Sequence, residues 1–242
     1  MKLRFLGTGA ADWKGIDARG ELRRFTSTLI DDSLLIDQTA NINYALESIR
    51  SVPALIYTHS HRDHFDLANQ ALIAPKAVYC HESWAKDAGA QPLEIGKSYE
   101  IAGFTVIPLP ANHSTERENE TALAYIIKKG EDTLLYSTDG AWLTNKAYHI
   151  IRKNAPLTAC VFDGTVGDAY PDDYRVFEHN TLPMVRIVRD SLKKQNLMKS
   201  DVRVIVTHLA RTLHPTQQEL VDRERKMEDP LIVAYDGLEL EV

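Results

Sequence analysis

The 242 residues predict an α/β protein of layered sheets and helices, read as one unit over residues 1–242, and three observations carry that reading. Short apolar, β-branched runs alternate with stretches of helical spacing along the whole chain. Three of those runs stop alike: Ile56-Tyr57-Thr58-His59, Tyr136-Ser137-Thr138-Asp139 and Val206-Thr207-His208 each set a His or Asp one residue past a threonine. Strands in α/β layers deliver active groups to a single edge in this way. No linker or low-complexity tract interrupts the pattern.

Residues 2–6 read as a strand that enters Gly7-Thr8-Gly9, a tight turn, and then a polar loop with Asp12, Asp17, Arg19, Arg23 and Arg24 placed to border a substrate. Residues 26–30 and 33–36, parted by Asp31-Asp32, form a hairpin that ends at Asp37. Helices are expected over 42–49, 66–73, 81–88, 145–153, 182–195 and 217–227, the fifth capped by Asn180 or Thr181 with Pro183 in its first turn. Strands are expected at 54–57, 77–80, 104–108, 159–162 and 203–207, and a second hairpin joins 121–128 to 133–138 around Gly130. Tyr235-Asp236-Gly237, between runs 231–234 and 238–242, reads as a third hairpin turn. His81 reads as a surface or capping residue and the charged run 116–120 as a solvated turn.

A formal charge of -6 argues against the extended basic footprint that a nucleic-acid binder needs. No run approaches the roughly 18 apolar residues of a membrane span, and residues 1–6 are too short for a secretory apolar region, so a cytoplasmic location is expected. Cys80 and Cys160 lack paired spacing and read as buried, reduced thiols.

Chemistry concentrates in Thr58-His59-Ser60-His61-Arg62-Asp63-His64, where three imidazoles and a carboxylate follow a strand. Imidazole nitrogen and carboxylate oxygen are ligands for zinc, manganese and iron, and without a cation such a cluster leaves polar atoms unpaired. In an extended segment His59 and His61 point the same way and can share one ion, while Asp63 and His64, past the turn, can face a second.

His-x-His-x-Asp-His after a strand resembles the metallo-β-lactamase fold superfamily. That resemblance implies an αββα sandwich of two mixed sheets flanked by helices, and a site for two divalent ions. It places His59, His61 and His113 on one ion and Asp63, His64 and His208 on the other, with Asp139 as the bridge. His214 competes for the last position, but Pro215-Thr216 beside it looks like a helix start. A water between the ions would lose a proton near neutral pH and become the nucleophile. Asp63 and His179 are the candidate catalytic residues, His179 as proton donor to the leaving oxygen. Asn112 and Arg211 are the candidate substrate contacts, Arg211 through a phosphate oxygen.

The runs Pro108-Leu109-Pro110-Ala111-Asn112-His113-Ser114, Glu178-His179-Asn180, Val204-Ile205-Val206-Thr207-His208 and Tyr235-Asp236-Gly237-Leu238-Glu239 are similar to segments of the cyclic-phosphate phosphodiesterases of the carbon-phosphorus lyase pathway. This implies a small phosphodiester as substrate and a catalytic role for His179. The loop between Gly9 and Arg24 departs from those enzymes, because it lacks the cysteines of their structural zinc insertion. The expected partner is a small phosphodiester, without nucleic acid or membrane, and a homodimer is left open. The alternatives are a ribonuclease Z-like tRNA 3′ endonuclease, a lactone or β-lactam hydrolase, and, from another class, a scaffold without catalysis.

Overall fold

A computed structural model describes residues 1–242. The first sheet contains, side by side, β1 (Lys2–Gly7), β2 (Ser27–Ile30), β3 (Leu34–Ile36), β4 (Ala54–Ile56), β5 (Val78–His81) and β6 (Gln91–Leu93). The second contains β7 (Tyr99–Ile101), β8 (Phe104–Pro110), β9 (Leu123–Lys129), β10 (Asp132–Ser137), β11 (Leu157–Asp163), β12 (Met198–Thr207) and β13 (Ile232–Val233). The last strand, β14 (Glu239–Glu241), returns to the first sheet and pairs with β1. Each sheet opens with antiparallel strands and continues with parallel ones, from β3 in the first and from β10 in the second.

Strand side chains alternate between faces, and that period sorts the apolar residues into three layers of core. Leu34, Ile36, Ala54 and Ile56 of the first sheet meet Leu134, Tyr136, Ala159, Val161 and Ile205 of the second in the central layer. Their neighbours Leu35 and Leu55 face outward, toward Ile49 of α1 (Leu46–Ile49), Ile73 of α2 (Leu67–Ile73) and Ala85 of α3 (Ala85–Ala88). On the other side, Leu135, Cys160, Phe162, Val204 and Val206 pack with residues of α4 (Asn145–Asn154), α5 (Leu182–Lys194) and α6 (Gln217–Glu224). The architecture is the αββα sandwich. Each fully buried Leu, Ile or Phe contributes about 1.5–3 kcal/mol, so the central layer holds the two sheets firmly enough for their strand ends to form one site. No helix is long and apolar enough to cross a membrane.

Local expectations fail where tertiary contacts intervene. Asp-Gly at 236–237 is not a hairpin turn: β13 pairs in parallel with β12, β14 pairs with β1, and the segment carries the chain between sheets. Asp236 secures that crossing by accepting from Thr8 Oγ1 (2.8 Å) and the Arg24 amide (2.7 Å). His81 ends β5 and is buried, with Nδ1 2.8 Å from Ser83 Oγ, so the helix expected from 81 shrinks to Ala85–Ala88. Residues 42–49 divide into a 3-10 turn, Ala40–Ala45, and α1. The edge strands β6 and β7 lack a sequence signal, β6 because Pro92 is tolerated only at a sheet edge. Gly7 is required by close approach, since a Cβ there would lie 1.8 Å from the Phe25 carbonyl oxygen.

Candidate metal centre

Strands of both sheets deliver their C-terminal ends to one rim. From the first sheet, β4 leads into the loop bearing His59, His61, Asp63 and His64. From the second, β8 leads to His113, β10 to Asp139 and β12 to His208, while β11 ends at Asp163. Two four-residue groups result: His59, His61, His113 and Asp139, and then Asp63, His64, Asp139 and His208. Within each group the potential ligand atoms lie within 4.8 Å of one another. A third group, Asp139, Asp163, His179 and His208, adjoins them. Asp139 Oδ2 is 3.1 Å from His59 Nε2, 3.2 Å from His64 Nε2, 3.4 Å from His113 Nε2 and 3.6 Å from His208 Nε2.

The protein alone does not satisfy this cluster. His59 Nε2, His113 Nδ1 and Asp139 Oδ1 are buried without a hydrogen-bond partner. Ring nitrogens confront each other at 3.2 Å in two places, His64 Nε2 with His208 Nε2 and His113 Nε2 with His61 Nδ1. Convergent lone pairs of nitrogen and oxygen at a buried point suit a divalent cation, and thiolate is absent from the set. The residues therefore fit a divalent metal site.

Buttressing side chains settle which nitrogen faces inward. Asp37, after β3, accepts from the Thr58 amide (2.7 Å) and hydroxyl (2.7 Å) and from His64 Nδ1 (2.8 Å). Thr58 Oγ1, its proton given to Asp37, accepts from His59 Nδ1 at 3.0 Å. Both imidazoles thus keep Nδ1–H and present Nε2 to the centre. Asp163 performs the same task on the second sheet, accepting from the Thr165 amide and hydroxyl (2.9 Å each), and Thr165 Oγ1 accepts from His208 Nδ1 at 2.8 Å. Glu120 pins the metal loop from outside, accepting from Ser60 N (2.7 Å) and Oγ (2.5 Å). The expectation of a solvated turn fails for this residue, whose side chain is 1% exposed.

Backbone strain marks the same places. Asp37 and His208, one residue past their strands, and Asp139, two past β10, have φ of +56°, +60° and +51°. A left-handed conformation costs an L-residue about 1–2 kcal/mol, so the surrounding contacts must hold these turns in place.

Electrostatics follow from burial and crowding. Burial opposes charge on Asp63, but His64 and His208 hold its acid well below the usual carboxylate range. Burial, reinforced by the His64 charge, pushes His59 down to about 3. His179 is also opposed by burial, yet Asp139 and Asp163 raise it to about 11. Its Nδ1 is 3.0 Å from Asp139 Oδ1 and 3.1 Å from Asp163 Oδ2, and its ring stacks on that of His208, with centroids 5.6 Å apart.

A cleft of about 290 Å³ opens over the cluster, lined in part by His61, Asp63, His113, Asp139, His179 and His208. Ala10, Ala11 and Asp12 of the loop after β1 also line it, as the loop's polarity suggests, together with Thr165, Arg175 and Glu178. The structure does not bring Asn112 or Arg211 into that lining. Asn112 Nδ2 donates to the Ala141 carbonyl (3.1 Å), and Arg211 is held by its backbone, its amide donating to Asp12 and its carbonyl accepting from Arg19. His214 stays outside the cluster, with Nε2 donating to the Gly164 (2.7 Å) and Thr165 (3.1 Å) carbonyls. Sequence reasoning missed Asp37, Asp163, Thr165, Glu120 and Arg175. A fourth strand ending in a carboxylate, Val161-Phe162-Asp163, was the available signal for one of them.

Among solved structures, a diphosphatase of the PhnP family superposes with a TM-score of 0.72 at 19% identity, covering 99% of this chain and 96% of that one. Zinc-bound PqqB from Methylobacterium extorquens gives 0.74 at 17% identity, with 100% of both chains covered. The short form of human tRNase Z gives 0.67 at 14%, covering 100% of this chain and 99% of that one. At such identities the likeness is one of fold. No curated protein matches the sequence. The model of the β-lactamase superfamily domain matches residues 28–208, from the second strand to the last histidine of the cluster, and the chain belongs to that family.

Proposed function

We propose that this protein is a hydrolase dependent on two divalent ions, zinc, manganese or iron, and that it cleaves a small phosphodiester. The observation that carries the reading is Asp139, one carboxylate common to two ligand groups. His59, His61 and His113 would hold one ion, and Asp63, His64 and His208 the other. When bound, such a pair supplies Lewis-acid polarisation of a phosphoryl oxygen and lowers the pKa of water from 15.7 to about 7.

The chain's own groups do the rest. Asp63 stays ionised in the cleft wall and can orient an attacking water by accepting its hydrogen bond. His179 gives Nδ1–H to the carboxylate of Asp163 and lies beside that of Asp139, so Nε2 is the atom left to hand a proton to the departing alkoxide. The neighbouring carboxylates favour the protonated imidazole, which suits a donor. A cleft of about 290 Å³ with Arg175 as its one Lys or Arg favours a small substrate over a polyanion.

The test uses purified protein supplied with Mn²⁺ or Zn²⁺ and bis-p-nitrophenyl phosphate. His179→Ala should lower turnover about 10²–10⁴-fold with metal content intact by elemental analysis. Lost metal would make His179 a ligand instead, and a wild-type protein that no divalent metal stimulates would overturn the reading. Cleavage of pre-tRNA in preference to small diesters would move the assignment to the nuclease.

A further inference from the structure

The short 3-10 turn Tyr174–Phe177 places the cleft's one Lys or Arg side chain, Arg175, in the wall of the cleft that opens over the His and Asp cluster. Asp173 caps the turn by accepting from the Arg175 amide (2.9 Å) and also grips the guanidinium through Nε (2.7 Å) and Nη2 (2.8 Å). That grip leaves Nη1 without a protein partner. The carboxylates of Asp12 and Glu178, which also line the cleft, have hydrogen-bond partners of their own. Asp12 accepts from the Arg211 and Thr212 amides, and Glu178 accepts from Ser114 Oγ at 2.6 Å. The Arg175 carbonyl also accepts from the His179 amide at 2.7 Å, so one turn carries both the guanidinium and the imidazole. On its other side the guanidinium lies 5.4 Å from the centre of the Tyr174 ring.

We propose that Arg175 contacts the substrate, its free Nη1 holding an anionic oxygen, and that this contact makes the site prefer anionic diesters over neutral esters. The inference rests on the phosphodiesterase reading and names the residue that would set its specificity. A guanidinium anchored on one side by a carboxylate has its free donors fixed in direction, and a planar donor set of this kind matches phosphoryl oxygens. The sequence pointed to Arg211 for this role, but Arg211 is absent from the cleft lining.

The experiment compares the metal-loaded wild type with Arg175→Ala and Arg175→Gln, the second preserving bulk if the first fails to fold. Substrates are bis-p-nitrophenyl phosphate, an anion, and diethyl p-nitrophenyl phosphate, a neutral triester. Both variants should raise KM for the diester about ten- to a hundredfold and shrink the diester-to-triester ratio of kcat/KM by a similar factor. Calorimetric binding of inorganic phosphate should weaken about tenfold, while Arg152→Ala, which removes an exposed cation from α4, should leave binding and ratio as in the wild type. An equal loss on both esters, or phosphate binding unaltered in Arg175→Gln, would reduce Arg175 to a prop of the turn and overturn the proposal. Should the wild type bind phosphate through Arg175 and hydrolyse neither ester, the contact stands and the phosphodiesterase reading falls.

Discussion

The first sheet supplies its share of the site from one loop, with His59, His61, Asp63 and His64 all following β4. The second sheet supplies single residues from separate strands: His113 after β8, Asp139 after β10, Asp163 at the end of β11 and His208 after β12. Behind this difference the two sheets use the same buttress. Asp37 holds Thr58 and His64, with His59 bonded to Thr58, and Asp163 holds Thr165, with His208 bonded to Thr165. In both, a strand-end carboxylate and a threonine fix Nδ1–H so that Nε2 faces the centre. They part in one respect. Asp37 touches only the ligand side of the cluster, whereas Asp163 also contacts His179, the proposed proton donor. On the proposed reading, ring positioning by Asp37 is independent of the proton donor, whereas Asp163 serves both.

The strongest way to break this picture is to remove what the two sheets share. Asp139→Asn should abolish stable occupancy of at least one ion and lower turnover by about 10³-fold or more; full metal content by elemental analysis together with near-normal turnover would show that Asp139 does not join the groups. Next in size is the paired comparison of Asp37→Asn with Asp163→Asn. Each should weaken metal affinity about 10- to 100-fold, but with metal restored to saturation only Asp163→Asn should keep a depressed kcat. Equal kcat values for the two saturated variants would erase the distinction between the buttresses.

The smallest effect concerns stability. His214 seats the Gly164-Thr165 segment of the second sheet and has no counterpart on the first. Burial lowers it from 6.5 to about 4, so the unfolded chain takes up a proton before the folded one as pH falls. Its contribution is therefore complete above pH 6.5 and declines toward pH 4, at most about 1.4 kcal/mol per pH unit. Urea denaturation of the wild type should show a steeper loss across that window than His214→Asn, and parallel pH profiles would assign the acid sensitivity elsewhere.

This asymmetry also explains what could be read in advance. The loop after β4 compresses its four groups into His59 to His64, and local spacing suffices to see them gather. The contributions of the second sheet lie at 113, 139, 163 and 208; the recurring threonine at a strand end linked 139 and 208, and the family resemblance was needed to add 113 and to join them to the loop. Asp163 lacks that threonine before it and passed unnoticed. Glu120 lay within a run of charges that resembles a surface turn, and nothing local reveals that its carboxylate reaches the Ser60 amide. The Asp-Gly at 236–237 carried a sound hairpin signal and still failed, because the neighbours of β13 and β14 are in different sheets.

From residue order alone came the layered class, the hairpin of 26–30 and 33–36, and the dense imidazole loop, since each depends on neighbours a few positions apart. Tertiary structure decided that Asp139 reaches both groups, that Asp37 and Asp163 orient the rings, and that Arg175 rather than Arg211 lines the cleft. The reason is directional: spacing tells which face of a strand a side chain leaves, but where a side chain beyond the strand points is set by the packing of two sheets and by the hydrogen bonds waiting on the far one.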